Sequence, residues 1–181
     1  MRAPAWLFRR EHVFPLVVGV CDGILTALTL AAGRVIESQA PLGMSLALRI
    51  AAASSLSGTF VFFTAEYARL RGELVHAERE LSLTSAGRLA ATRLGRAVLA
   101  ESVAGAGISS ICNFAGALFP LALGALLPGP AWVAIAAAII ALGLLGAAVA
   151  HGVRGNPLLW ITGLMAAGGV LTLAGLRLHV V

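Results

Sequence analysis

Asp22 is the only aspartate of the chain, and it lies in the middle of an apolar stretch long enough to cross a membrane. A carboxylate at the centre of a membrane span costs roughly 2.5–3.5 kcal/mol on insertion scales, so we expect Asp22 to face a partner or a water-filled path. Gly19 and Gly23 permit another helix to approach closely, and Thr26 lies one turn further along the same face. Two interpretations follow: a functional membrane carboxylate, or a hydrogen bond to a neighbouring helix with no further role.

Glu66 lies near the end of the second apolar stretch and is followed by Tyr67. One interpretation is an ion-relay carboxylate at the mouth of a pore. The other is an interfacial carboxylate that pairs with Arg69, three residues further along the same helix.

Acidic residues continue beyond Glu66 on one side of the predicted helix. Glu66, Glu73 and Glu80 are seven residues apart and therefore share a face, close to His76. Carboxylate and imidazole groups together suit a divalent transition metal. The alternative is a charged helix that is simply solvated below the membrane.

The third apolar stretch carries polar residues of its own. Its serines are typical of close helix packing, whereas Asn113 either packs or lines a path. The two cysteines, Cys21 and Cys112, form neither a disulfide framework nor a zinc pattern. An intramembrane enzyme would need a nucleophile and a base, and no histidine is expected at the depth of either cysteine. We therefore expect no enzymatic activity.

Five apolar stretches must position these residues. Of the 181 residues 59% are hydrophobic and only 12% are charged, whereas about a quarter of a soluble domain is charged. A membrane-crossing helix needs about 20 apolar residues, and the stretches that qualify are 13–33, 46–68, 99–127, 131–150 and 158–178. The predicted fold is an all-α polytopic membrane protein in which residues 1–181 form a single transmembrane domain, with a short cytoplasmic helical extension at about 69–98.

The basic residues predict the orientation. All 13 are arginines, and with five spans ten of them fall on the side of the N-terminus. Only Arg34, Arg49 and Arg177 fall on the other side. The positive-inside rule then predicts a cytoplasmic N-terminus and an outside C-terminus. Because the arginines cluster at the ends of apolar stretches, the net charge of +5 does not indicate nucleic-acid binding. We expect an integral membrane protein, in contact with lipid, of a bacterial plasma membrane.

Three short motifs resemble the vacuolar iron transporter family. The segment Gly19-Val-Cys-Asp22-Gly23-Ile-Leu-Thr26 resembles the GxNDGxxT motif of that family's first span, and Ala65-Glu66-Tyr67 resembles its GEY motif. The segment Gly116-Ala117-Leu118-Phe119-Pro120-Leu121 is similar to its GAxxPL motif. The motifs occur in the family's order, in a chain with its five spans and a charged segment after the second. The resemblance covers most of the chain and points to the short, nodulin-like branch that lacks the long cytosolic metal-binding domain.

The resemblance implies a homodimer whose pore is formed by the first spans at the two-fold axis. It implies export of cytosolic Fe²⁺ or Mn²⁺ in exchange for protons, without a resident cofactor. Asp22 and Glu66 match the family's pore carboxylates, and Glu73 and Glu80 match its acidic helix loosely. Together they form the predicted set of metal ligands, and the further candidates for lining the pore are Cys21, Thr26, Phe62 and Asn113.

The chain departs from the family pattern at three positions. Cys21 replaces the asparagine before the aspartate, Ala65 replaces the glycine before the glutamate, and Phe62 replaces a methionine that offers a soft ligand. The thiol of Cys21 either replaces that sulfur or faces lipid. The alternative function, motivated by the lost methionine and the shortened cytosolic segment, is a membrane scaffold or assembly factor that kept the fold and does not transport.

Overall fold

The described part of the chain folds into five helices. The structure is a computed structural model that describes residues 10–37, 43–80, 93–126 and 132–178. The helices are α1 (Arg10–Glu37), α2 (Met44–Glu80), α3 (Arg93–Leu126), α4 (Trp132–Val153) and α5 (Pro157–Leu178). Each contains a segment long and apolar enough to cross a membrane. The predicted all-α class and the five spans are therefore confirmed, whereas the side on which the N-terminus lies stays a prediction.

Two of the helices are longer than a membrane requires. α2 has 37 residues and α3 has 34, which at 1.5 Å per residue is about 50–55 Å, against a hydrocarbon core of about 30 Å. Of the predicted helical extension at about 69–98, residues 69–80 belong to α2 and residues 93–98 to α3, and residues 81–92 lie outside the described part of the chain. That this segment forms a cytoplasmic extension stays a prediction.

α1 and α3 form the tightest interface of the bundle. A Cβ atom at Gly23 would collide with the backbone carbonyl of Asn113 and would lie 2.7 Å from the backbone nitrogen of Ala117. From the opposite side, a Cβ atom at Gly116 would lie 2.7 Å from the carbonyl oxygen of Val20. The two backbones therefore touch, which small residues permit and larger ones prevent. The close approach predicted from Gly19 and Gly23 is confirmed.

The other helices are arranged around this pair. α4 and α5 pack on one another and on α1, whereas α2 packs mainly on α3 and meets α1 only slightly. The buried cores are rich in alanine: one joins α1, α2, α3 and α4, and the other joins α1 and α4 through Ile24, Leu28, Ala138 and Leu142. A gap lined by side chains is left between α1 and α2.

A short turn joins α4 to α5. Arg154 adopts a left-handed backbone with φ of 54°, and the N–H of Gly155 donates to the carbonyl of Ala150 over 3.0 Å. The side-chain oxygen of Asn156 then accepts a hydrogen bond from the N–H of Leu158 over 3.1 Å. This is an N-cap followed by proline at the first helical position, and α5 begins within one residue of the predicted fifth stretch at 158–178.

Candidate functional site

The middle of the bundle brings together Asp22 of α1, Gly58 of α2 and Asn113 of α3. The amide nitrogen Nδ2 of Asn113 donates to Oδ2 of Asp22 over 2.5 Å. Asn113 is almost fully buried, at 1% exposure, while Asp22 is exposed in the single chain. A hydrogen bond from a buried amide to a carboxylate is charge-assisted and about twice as strong as a neutral one. Asn113 therefore holds one oxygen of Asp22 and leaves the other available.

Gly58 gives this pair its space. A Cβ atom at position 58 would collide with Nδ2 of Asn113 and would lie 2.9 Å from Oδ2 of Asp22. Because glycine has no side chain, the backbone of α2 passes directly over the hydrogen bond between the other two helices. The sequence does not single out Gly58, although its place near the centre of the second apolar stretch is the one signal that could have done so.

Hydroxyl groups extend the contact between Asp22 and Asn113. Oγ of Ser54 lies 3.0 Å from Oδ1 of Asn113 and 3.1 Å from Oγ1 of Thr26. Thr26 donates its own proton to the backbone carbonyl of Asp22 over 2.9 Å. These contacts orient the Asn113 amide, because its oxygen accepts from Ser54 while its nitrogen faces Asp22. Ser54 is a second residue of this site that sequence reasoning missed.

A groove of about 710 Å³ runs between α1 and α2 and connects Asp22 with Glu66. The part of the groove at the centre of the bundle, here called the polar centre, contains Asp22, Thr26, Ser54 and Ser57, with Ser109 of α3, beside the apolar side chains of Ile50 and Ala53. Between this part and Glu66 the groove is lined by apolar side chains, namely Phe14, Val18, Val61, Phe62 and Ala65. The groove therefore has a polar centre, an apolar neck and a charged mouth.

The apolar neck contains an aromatic pair. The rings of Phe14 and Phe62 lie 6.0 Å apart, centroid to centroid, at an angle of 43°. Phe62 is 7% exposed and fits against Gly105 of α3, where a Cβ atom would lie 3.1 Å from its ring. Phe62 thus lines the groove as a packed aromatic side chain without a donor or acceptor atom.

The charged mouth is an ion-pair network on α2. Arg69 donates to both carboxylate oxygens of Glu66, over 2.9 and 2.7 Å, and to Glu73 over 2.5 Å. The pairing of Glu66 with Arg69 that one interpretation expected is thus present, and Glu66 also lines the groove. Two carboxylates and one guanidinium leave a net charge of −1. The carboxylate of Glu101, in the third turn of α3, is close enough for its charge to act on Arg69.

The remaining predicted site residues lie elsewhere. Glu73 lines a shallow second groove with Gly72 and His76 on the projecting end of α2. Cys21 packs against the apolar cluster that joins α1 and α4. Glu80 is the last residue of α2, and its side chain lies outside the described part of the structure. The structure therefore brings Asp22, Thr26, Phe62 and Asn113 to one region, with Glu66 at the mouth of the same groove.

Within the described residues of one chain, no three histidine, cysteine, aspartate or glutamate side chains are close enough to hold a metal ion. Asp22 is the one such residue in the polar centre of the groove, so any cation there would also bind neutral oxygen ligands or a second carboxylate from another copy. In comparisons with known proteins, no family model, curated protein or solved structure matches the chain.

Proposed function

We propose that this protein is a homodimeric transporter that exports Fe²⁺ or Mn²⁺ from the cytosol, with its N-terminus in the cytoplasm. The observation that carries the proposal is the position of Asp22: an exposed carboxylate at mid-span that opens onto a groove leading to Glu66. A carboxylate placed there is costly in lipid, so it needs water, a cation or another protein surface beside it.

A second copy of the chain supplies a second Asp22 carboxylate, which a single copy lacks. Two first spans that meet at a two-fold axis bring two Asp22 carboxylates together, as the resemblance to vacuolar iron transporters implies. Two nearby carboxylates repel one another when both are ionised, so the pair takes up either protons or a cation. Alternation between these two occupants is the minimal chemistry of metal–proton exchange.

The groove provides a route to this site. The net negative mouth formed by Glu66, Arg69 and Glu73 attracts cations from the cytoplasmic side. The cation then passes the neck at Phe62 and reaches Asp22, which Asn113 holds in position. Two of the three family-like motifs, those that contain Asp22 and Glu66, line this one groove, which supports the proposal.

Metal flux into proteoliposomes tests the proposal. We expect purified wild-type protein to admit Mn²⁺ or Fe²⁺ to vesicles that contain a metal-sensitive dye, well above protein-free vesicles. Asp22→Asn keeps the shape of the side chain and removes its charge, and we expect it to reduce flux to the background. Thr162→Val is the matched control, because Thr162 lies on α5 and bonds only within its own helix.

The flux measurements distinguish a metal transporter from a membrane scaffold. An Asp22→Asn variant that carries metal as fast as wild type would show that the mid-membrane carboxylate is not the transport site. A folded wild-type protein with no flux of any divalent cation would favour the scaffold or assembly factor instead.

A further inference from the structure

Among the described residues, those in the polar centre of the groove offer a cation only oxygen ligands. These are the carboxylate of Asp22 and the hydroxyl groups of Thr26, Ser54 and Ser57. We infer that this oxygen set makes the transporter selective for hard divalent cations of the Mn²⁺, Mg²⁺ and Ca²⁺ class, against soft, thiol-binding metals. The inference rests on the proposed function and specifies its substrate class, and it gives Ser54 and Ser57 a role in specificity.

The hydroxyl groups of Thr26 and Ser54 give their protons to neighbouring groups and keep lone pairs for a cation. Thr26 gives its proton to the backbone carbonyl of Asp22, and Ser54 gives its proton to Oδ1 of Asn113 or to Oγ1 of Thr26. A hydroxyl has one proton and two lone pairs. Once the proton is committed to a neighbour, the lone pairs remain for a cation in the groove. The buried Asn113 fixes this direction of the hydrogen bonds from outside the groove.

Three of the four sulfur-containing residues in the described helices have neighbours outside the groove. Cys112 lies at the tight interface of α1 and α3, where a Cβ atom added at Gly19 would lie 3.0 Å from the Cβ atom of Cys112. Cys21 packs against the apolar cluster of α1 and α4, and Met165 packs against Gly143. Among the described residues that line the groove there is neither sulfur nor imidazole. Phe62, at the position of the family's methionine, has no ligand atom.

The ligand type decides between metals. Carboxylate, hydroxyl and water oxygens suit Mg²⁺, Ca²⁺ and Mn²⁺, whereas thiolate, thioether and imidazole ligands favour zinc, copper and iron. An oxygen-only centre therefore lacks the ligands from which soft, thiol-binding metals gain their extra affinity. We expect Mn²⁺ to be carried, with Mg²⁺ and Ca²⁺ as competitors and Cd²⁺ as a poor substrate and weak inhibitor.

A thiol placed in the groove tests this inference. The background is the double variant Cys21→Ser and Cys112→Ser, which we expect to carry Mn²⁺ at the wild-type rate because neither thiol is a ligand. Ser57→Cys is then added, and it should lower the Cd²⁺ concentration that inhibits Mn²⁺ flux by about tenfold or more. Cd²⁺ should also protect the introduced thiol from a maleimide reagent, which is a binding measurement that does not depend on transport.

The results of these flux and labelling experiments can overturn the inferred selectivity for hard cations. It is overturned if wild type carries Cd²⁺ better than Mn²⁺, if loss of the two native thiols slows Mn²⁺ flux, or if Cd²⁺ neither inhibits nor protects the introduced thiol. In these cases the proposed function stands with a different cargo, whereas a wild type without any flux overturns both. If Ser57→Cys elutes as aggregated protein, Ser54→Cys carries the same test.

Discussion

The two sides of α1 that face α3 and α2 differ in residue type and in how closely the neighbouring helix approaches. Toward α3, Gly19 and Gly23 bring two helix backbones into contact and leave no space between them. Toward α2, Asp22 and Thr26 face a groove of about 710 Å³ in which the two helices hardly touch. The tight side is a packing surface, and the open side is a place where an ion and its water can fit.

Close packing on one side of α1 allows polar groups such as Asp22 and Asn113 to lie in the middle of a membrane span. Helix association in lipid is driven by close packing and by hydrogen bonds between helices, because lipid tails are as apolar as the side chains. The tight side supplies the packing, and it also fixes Asn113 on α3, which reaches across to Asp22. The open side can then leave its carboxylate partly exposed, because α1 is already held from behind.

The largest effect should follow from breaking the tight side with Gly23→Ala. The new methyl group would meet the backbone of Asn113 and Ala117, which cannot rotate away as a side chain can. Helices α1 and α3 would have to separate, and overpacking of this kind costs about 1–3 kcal/mol or more. We expect a clearly lower melting temperature in detergent and a loss of monodisperse protein in size-exclusion chromatography.

Gly107→Ala is the matched control for this prediction. It makes the same chemical change in the middle of α3, at an exposed position where a Cβ atom would meet nothing within 4 Å. Alanine is favoured over glycine in a helix by up to about 1 kcal/mol, so this variant should be as stable as wild type or slightly more stable. Equal losses in both variants would show that α1 and α3 do not depend on backbone contact.

A smaller effect on stability, but a large one on transport, should follow from Gly58→Ala on the open side. Here the new methyl group would meet Nδ2 of Asn113 and Oδ2 of Asp22, which are side-chain ends that can move. The protein should therefore fold with a melting temperature closer to wild type than that of Gly23→Ala. The hydrogen bond between Asp22 and Asn113 would be displaced, and we expect Mn²⁺ flux to fall by about tenfold, since charge-assisted bonds contribute about 1.5–3 kcal/mol. Wild-type flux in a stable Gly58→Ala protein would exclude a role for this geometry.

The tight side was easier to predict from the sequence than the open side. Glycines four residues apart in an apolar stretch have one ready explanation, close helix approach, and the five spans follow from length and hydropathy alone. The groove depends on which faces of three helices meet, and hydropathy does not determine helix rotation. Gly58, Ser54 and Ser57 were therefore missed, because a glycine or serine in a membrane helix is as typical of packing as of an ion path. Asp22 and Glu66 were predicted from their positions in the apolar stretches, and only the folded chain connects Asp22 with Asn113.

The smallest effect should come from the mouth of the groove, with Glu66→Gln. The amide oxygen still accepts from Arg69, which also keeps its bond to Glu73, so the helix should remain intact. The charge of the three-residue mouth changes from −1 to zero, which weakens the attraction of cations without altering the site at Asp22. We therefore expect a several-fold higher KM for Mn²⁺ at low salt, little change in the maximal rate, and a difference from wild type that shrinks as ionic strength rises.

Glu101→Gln is the matched control. It removes the same charge near Arg69 but lies outside the groove lining, and its effect should be weaker. Equal increases in KM for the two variants would mean that the mouth acts only through its overall electrostatic field. A large fall in the maximal rate of Glu66→Gln would instead make Glu66 part of the transport site itself, as Asp22 is proposed to be.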